Sequence, residues 1–468
     1  MALPLERGKR LLGEKIFQQV INYLEKDPYN NLNTVLDLVQ KAPVASHHKE
    51  IFMSMKEQIE NSHVKQEYVR RIFDNISSRA LRGTVLNFFL NSMLLGVPKQ
   101  YRWAEELGVD VPYAILIDPT SRCNLNCIGC WAGAYDNYDA LTFEEVDRII
   151  TEAKELGIYL IAMSGGEPYL WPDIFKLFEK HDDVVFMTYT NGTLFNKKRA
   201  KKLGELGNVS PAISIEGWRE VTDYRRGEGT FDKIMQAMDN LREEGVPFGF
   251  SVTLTSKNCE EVMTSDFIDL MVEKGALYGW SFHYIPIGKD PDFSLMLSAE
   301  QRRWLVDQVR RLREEKPIQF ADFWNDGVAM QGCIAGGRRY FHITSKGDVE
   351  PCAFIHFSTD NIKGKSLKEV LQTPLFKSYQ KRQPFSDNML RPCPLIDVPH
   401  QLREIIKESG AEPTHPGADD VLKGMEAEKM EKVAASWEEV AEKESLKESV
   451  ENCRRVDPDE CKRIGDNL

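Results

Sequence analysis

Three cysteines, Cys123, Cys127 and Cys130, stand in a CxxxCxxC spacing directly after the apolar run Tyr113 to Ile117. The run reads as a short buried strand, which puts the thiols in the loop that leaves it. Three thiolates hold three corners of a [4Fe–4S] cube and leave the fourth iron without a protein ligand. An open iron binds and reduces a small molecule. A structural zinc site takes four ligands, as does an electron-transfer cluster, and no fourth Cys or His stands close by.

A second apolar run, Tyr159 to Met163, leads into Ser164-Gly165-Gly166-Glu167-Pro168. Glycines at a strand exit let a ligand approach the backbone closely. A carboxylate beside them can hold an ammonium group. A third segment carries Ser214-Ile215-Glu216-Gly217, then Tyr224-Arg225-Arg226-Gly227 and Thr230-Phe231-Asp232.

On these motifs the chain resembles the radical S-adenosylmethionine (radical SAM) superfamily, from about Pro112 to Ile287 and on into the C-terminal third. The resemblance implies that Cys123, Cys127 and Cys130 hold the cluster. It implies that Gly165, Gly166 and Glu167 contact the amino group of the SAM methionine. Ser214 and Arg226 fall where the family binds the SAM carboxylate, and Glu216 where it has an acid near the ribose. One departure stands out. The family usually has an aromatic residue before the third cysteine; this chain has Gly129, as do relatives that add adenosyl to a lipid precursor. Trp131 is a candidate for the missing ring, and packing of the loop on the barrel is the other reading.

The elements that must position these residues follow. With 468 residues the chain exceeds one ordinary core. Residues 1 to 108 read as a helical unit, with a 3.6-residue apolar period over Leu12, Ile16, Val20 and Leu24. Residues 109 to 320 alternate strand-like and helix-like runs, the strands at 113–118, 159–164, 184–190, 209–215, 248–255 and 279–286. Six such repeats make a parallel α/β sheet. Every motif falls at a strand's C-terminal end, where barrel enzymes gather their chemistry. The family fold, a partial (β/α)6 TIM-type barrel, agrees with this reading.

Residues 321 to 415 form a third unit. Arg339 to Thr344 alternates like a strand, Ser345 to Asp348 is a hairpin turn signal, and Cys333, Cys352 and Cys393 are spread through it. The stretch resembles the SPASM/twitch extension, which binds auxiliary iron–sulfur clusters. A full SPASM set has seven cysteines, so three imply at most one auxiliary cluster, with His400, Cys453 or an open site as the fourth position. A zinc site or plain buried thiols is the alternative. Cys259 reads as core. Residues 416 to 468 are dense in Glu and Lys, and Met430, Val433, Trp437 and Val440 mark one docked amphipathic helix. Cys453 and Cys461 read as exposed spectators.

A net charge of -12 argues against a general nucleic-acid binder. The N-terminus lacks the apolar core of a signal peptide, and cysteines grouped as metal ligands indicate a reducing cytoplasm and, with an open cluster, an anaerobic setting. The chemistry expected is reductive cleavage of SAM to a 5′-deoxyadenosyl radical, which takes hydrogen from an unactivated C–H bond. Flavodoxin or ferredoxin is the expected reductant. For substrate, a peptide, protein or other biosynthetic intermediate is the first expectation. The second is a lipid or long apolar chain at a membrane surface, because Thr84 to Val97 is apolar and flanked by Arg70, Arg71, Arg79, Arg82, Lys99 and Arg102. A core helix explains the same segment. A non-catalytic iron–sulfur scaffold does not explain the SAM-contact pattern.

Overall fold

The computed structural model describes residues 19–41, 46–133 and 139–456. Seven parallel strands build the central sheet: β1 Ala114–Ile117, β2 Leu160–Met163, β3 Val185–Thr190, β4 Val209–Ser214, β5 Gly249–Leu254, β6 Tyr278–His283 and β7 Gln319–Asp322. Two strands of the C-terminal unit, β8 His342–Ile343 and β9 Val349–Glu350, extend it in the order β7-β6-β5-β4-β3-β2-β1-β8-β9. The expected partial barrel is present. It carries a seventh strand beyond the six expected, and β7 crosses the boundary expected at residue 320. A final small pair, β10 Phe357–Ser358 and β11 Glu412–Pro413, is antiparallel.

The crossover after β1 shows why the sequence winds this way. The helix Phe143–Leu156 opens on a capping box between Thr142 and Glu145 and closes on left-handed Gly157 at φ 88°. Its Val146, Ile149, Ile150 and Ala153 are buried at helical spacing. They belong to one core with Ile115, Ile117 and Ile161.

The N-terminal helices lie under the N-terminal ends of the strands, away from the cysteine loop. Within the N-terminal helical unit, Ile76 is extended and caps the helix His63–Asn75. Arg71 donates to the carbonyls of Val272 and Ala276, each at 2.8 Å, and to that of Pro317. Arg79 donates to the Glu205 carbonyl. Asn87 donates to the Asp182 carbonyl at 2.7 Å and Asn91 to that of Asp183 at 3.0 Å. Gln100 reaches the Gly157 carbonyl at 2.8 Å. Each carbonyl belongs to a helix end or turn that leads into a strand, so the helices lace the open barrel from β7 back to β2.

This lacing changes the reading of the apolar segment. Ser78–Leu107 is long and apolar enough to cross a membrane, yet 44% of its apolar window is buried within the protein. Its stretch Leu86–Gly96 winds as a π-helix. Arg71 and Arg79 hold barrel carbonyls, and Arg82 holds that of Ser78 at 3.0 Å. Three of the six flanking basic residues are thus engaged with backbone, as in a core helix. Replacing Asn87 and Asn91 together by Ala should destabilise the protein by about 2–4 kcal/mol, because the buried carbonyls they satisfy lose their donors. Chemical denaturation checks this; an unchanged midpoint would show that the lacing is incidental.

At the other sheet edge, the C-terminal unit docks on β1 through β8, with Leu116 opposite His342. The His342 ring lies between two carboxylates, with Nε2 2.9 Å from Asp118 and Nδ1 2.8 Å from Glu350, all fully or almost fully buried. Burial alone would lower this imidazole, but Asp118 and Glu350 outweigh it and lift it from 6.5 to about 10. A raised folded-state value stabilises fully below the unfolded value and is lost as pH climbs through the folded one. The stability lead of the native protein over His342→Gln should therefore be greatest below pH 6.5 and shrink up to about pH 10. Denaturation midpoints of both proteins across that range test it. A pH-independent lead would show that the ring is neutral.

The long helix Gly424–Val456 docks as expected, with Met430 and Trp437 buried and Trp437 Nε1 donating to the Leu390 carbonyl at 3.0 Å.

Candidate active site

The loop leaving β1 is held on both sides. Asp118 N–H donates to the Ile343 carbonyl at 2.9 Å, and Leu141 N–H to that of Pro119 at 3.0 Å. The glycine motif after β2 packs backbone to backbone on this loop. Gly166 N–H donates to the Thr120 carbonyl at 3.0 Å and Glu167 N–H to that of Arg122 at 2.7 Å. A Cβ on Gly166 would fall 2.1 Å from the Arg122 carbonyl oxygen. The glycines therefore let the second loop seat directly against the first, one residue before Cys123.

Cys123 is exposed, and Cys127 and Cys130 are partly buried. Although Cys123 is exposed as a residue, desolvation of its sulfur by the surrounding loop pushes the thiol up to about 11, and burial raises Cys130 as well. A metal ligand is a deprotonated thiol, so bound metal reverses this preference. The guanidinium groups of Arg225 and Arg226 favour a Cys130 thiolate. Among the described residues no His, Cys, Asp or Glu group converges as ligands of a single ion. A cube, whose irons are bridged by its own sulfides, takes its thiolates at separate corners. The three cysteines of one loop, with cationic neighbours, fit such a donor set.

The thiols share a cavity of about 290 Å³ with Ser164, Gly165, Gly166, Ser214 and Arg226. Seven of the nine residues expected at the SAM site thus meet at one place: Cys123, Cys127, Cys130, Gly165, Gly166, Ser214 and Arg226. The Ser214 and Ser251 hydroxyls lie 3.1 Å apart.

Two acids have settings that the resemblance did not imply. Glu167 is fully buried and turned toward β3, where it accepts from Thr190 Oγ1 and Asn191 N–H, each at 2.8 Å, and from Tyr169 N–H at 3.2 Å. Its backbone neighbours, and not its carboxylate, face the cavity. Glu216 is also fully buried, and its Oε1 accepts from Arg225 Nη1 at 2.5 Å and from Arg226 Nε at 2.8 Å and Nη2 at 2.5 Å. This carboxylate holds two arginines, both of which line the cavity.

A ring from elsewhere in the chain fills the space beside Gly129. A Cβ on Gly129, at φ 62°, would sit 2.7 Å from the Tyr284 ring, so that ring occupies the space. Trp131 also lines the cavity and stacks on His356 with its centroid at 6.2 Å and an interplanar angle of 10°, tying the loop to the C-terminal unit. Tyr284 directly follows β6, a strand end legible in the sequence; its partnership with Gly129 has no sequence signal.

The inner wall of the cavity is apolar and aromatic. Trp280 and Phe282 come from β6, and Ile334, Tyr340, Ala353 and Phe354 come from the C-terminal unit, which closes the open side. Arg339 also lines it; its Nε is buried without a hydrogen-bond partner, and the Tyr113 ring lies 6.0 Å away.

The C-terminal cysteines gather around two tyrosines. The Tyr340 hydroxyl lies 2.9 Å from Cys352 Sγ and that of Tyr379 3.3 Å from Cys333 Sγ. The thiols of Cys333, Cys352 and Cys393 all act electrostatically on Tyr379. Burial pushes Cys352 up to about 12 and raises Cys333 and Cys393. Cys393 N–H donates to Asp397 at 2.9 Å, which pairs with Arg302 of the barrel at 2.8 Å. His400 is exposed. The Cys453 side chain and Cys461 lie outside the described residues. Cys259 is buried in the core, 1% exposed.

The comparisons with known proteins agree with this geometry. The Radical SAM superfamily profile matches residues 117–268, and the SPASM iron–sulfur cluster-binding domain matches residues 333–394. The chain thus carries a radical SAM domain followed by a SPASM-type C-terminal domain. It is 26% identical over 290 residues to the AdoMet-dependent heme synthase of Methanosarcina barkeri, covering 56% of this chain and 82% of that protein. It is 29% identical over 268 residues to the mycofactocin maturase MftC of Mycolicibacterium smegmatis, covering 53% of this chain and 66% of that protein. The fold is that of Streptococcus suis SuiB bound to S-adenosylmethionine, at TM-score 0.52 and 17% identity over 64% of this chain and 76% of SuiB. The protein is a radical SAM enzyme whose cofactors are a [4Fe–4S] cluster, S-adenosylmethionine and auxiliary iron–sulfur.

Proposed function

We propose that Cys123, Cys127 and Cys130 hold the SAM-cleaving cluster, and that the substrate lies in the aromatic cavity between the barrel and the SPASM-type unit. Bound together, the cluster and SAM supply a 5′-deoxyadenosyl radical that takes hydrogen from an unactivated C–H bond. The carrying observation is the shared cavity: the three thiols, Gly165, Gly166, Ser214 and Arg226 line it with the rings of the C-terminal unit. The protein's own part is to orient and to exclude water. Gly165 and Gly166 bring backbone to the methionine end of SAM. Ser214 and Arg226 meet its carboxylate, with Arg226 held by Glu216. Tyr284 stands where the family has its ring beside the third cysteine.

The substrate is a residue of a peptide or protein, or another biosynthetic intermediate. The mycofactocin maturase and the heme synthase among its relatives support this range. Arg339 suits a carboxylate on such a molecule, because its planar guanidinium pairs that group bidentately. Cys333, Cys352 and Cys393 hold one auxiliary cluster. A flavodoxin or ferredoxin in the cytoplasm supplies the electron. A membrane-surface reaction is the second reading; two of the six basic residues on which it rests, Arg71 and Arg79, are engaged with barrel carbonyls.

The test is anaerobic reconstitution of the full chain, with iron and sulfide counted and 5′-deoxyadenosine measured after adding SAM and dithionite. Two clusters per chain and steady 5′-deoxyadenosine formation are expected. Bound iron with no cleavage of SAM would overturn the reading.

A further inference from the structure

The Tyr340 side chain belongs to two sites at once. Its ring is part of the cavity wall, and its hydroxyl lies 2.9 Å from Cys352 Sγ. Tyr379 makes the comparable contact to Cys333 at 3.3 Å, but its ring is fully buried and absent from the cavity wall. A sulfur that ligates iron carries no proton, so in the loaded protein only the phenol can donate. We propose that Tyr340 is a positioning residue of the auxiliary cluster: its O–H donates to the Cys352 thiolate from the substrate cavity and raises the cluster's reduction potential. The proposal rests on the reading that Cys333, Cys352 and Cys393 hold that cluster.

The sign follows from charge. A hydrogen bond draws electron density from the thiolate and favours the state with one more electron. The donor here comes from the wall of the reaction chamber. Its backbone is fixed on both sides of the contact. Tyr340 N–H donates to the Ile334 carbonyl at 3.1 Å, next to Cys333. Two residues on, His342 is clamped between Asp118 and Glu350. The Phe323 ring meets the Tyr340 ring edge-on at 6.4 Å. The phenol is therefore aimed by packing, and the hydroxyl can be removed with little change in shape. A ring that both faces the substrate and tunes the cluster gives the cavity a direct hold on how readily that cluster accepts an electron.

The experiment uses the full chain with Cys123, Cys127 and Cys130 replaced by Ala, so that auxiliary iron alone is observed. In that background Tyr340→Phe should lower the potential in an EPR-monitored redox titration and cut the reduced fraction at a fixed poise severalfold. It should also abolish one exchangeable-proton coupling at the reduced cluster after transfer to D₂O. Tyr340→3-fluorotyrosine keeps the ring and makes a stronger donor, so it should move the potential the opposite way; this variant decides the matter if the Phe form loads poorly. An unchanged potential and proton coupling in both variants would overturn the proposal. Absence of any cluster in the parent variant would instead overturn the assignment of the three cysteines, and the tuning role with it.

Discussion

Replacing Cys123, Cys127 and Cys130 together by Ala should abolish 5′-deoxyadenosine formation while leaving iron in the protein. The two cysteine sets sit in separate loops. The first leaves β1, and the second is spread over Cys333, Cys352 and Cys393 in the C-terminal unit, tied to the barrel through Asp397 and Arg302. The core beneath the first loop is built from Ile115, Ile117 and Ile161, none of which touches solvent. Loss of the thiols removes donors from a partly exposed loop and not from that core, so the fold and the second set should persist. The expected result is a protein with roughly half the iron, a remaining EPR signal on reduction, and no SAM cleavage with dithionite. Surviving cleavage would sink the assignment of the triplet. Complete loss of iron, or zinc in its place, would sink the auxiliary site.

Glu216→Gln should be the most damaging single substitution near the site that removes no cluster ligand. The carboxylate holds two guanidinium groups whose side chains are each 11% exposed, while it is itself fully buried. Removing one partner of a buried charge pair costs about 3–5 kcal/mol, because the remaining charges stay buried and uncompensated. Arg226 should also lose its fixed direction and SAM affinity should fall at least about tenfold, which corresponds to ~1.4 kcal/mol. Denaturation midpoints and SAM binding by equilibrium dialysis measure the two effects separately. The exposed pair Arg219–Asp232 is the comparison: its side chains are 54% and 64% exposed, and Asp232→Asn should leave SAM binding unaltered. If both substitutions behave alike, burial is not what gives Glu216 its weight.

The sequence by itself determined six of the seven barrel strands, the loops that carry Cys123 and Gly165, and the likeness to a cluster-binding barrel family. These are local properties. A buried parallel strand is an apolar run, a cluster loop is a spacing of thiols, and a hairpin such as Ser345 to Asp348 is a turn signal between two alternating runs. Tertiary structure alone decided which polar groups are free to act. Glu216 and Glu167 are acids at motif positions, but their roles depend on Arg225, Thr190 and Asn191, side chains whose approach no spacing encodes. The ring beside Gly129 comes from Tyr284, more than a hundred residues away in the chain, while the adjacent Trp131 serves the C-terminal unit. A basic residue flanking the apolar helix reads the same whether it meets phosphate or carbonyl, and only the folded structure shows Arg71 and Arg79 on carbonyls beneath the barrel. Local pattern fixes what a residue can do; the desolvated partner it meets after folding fixes what it does.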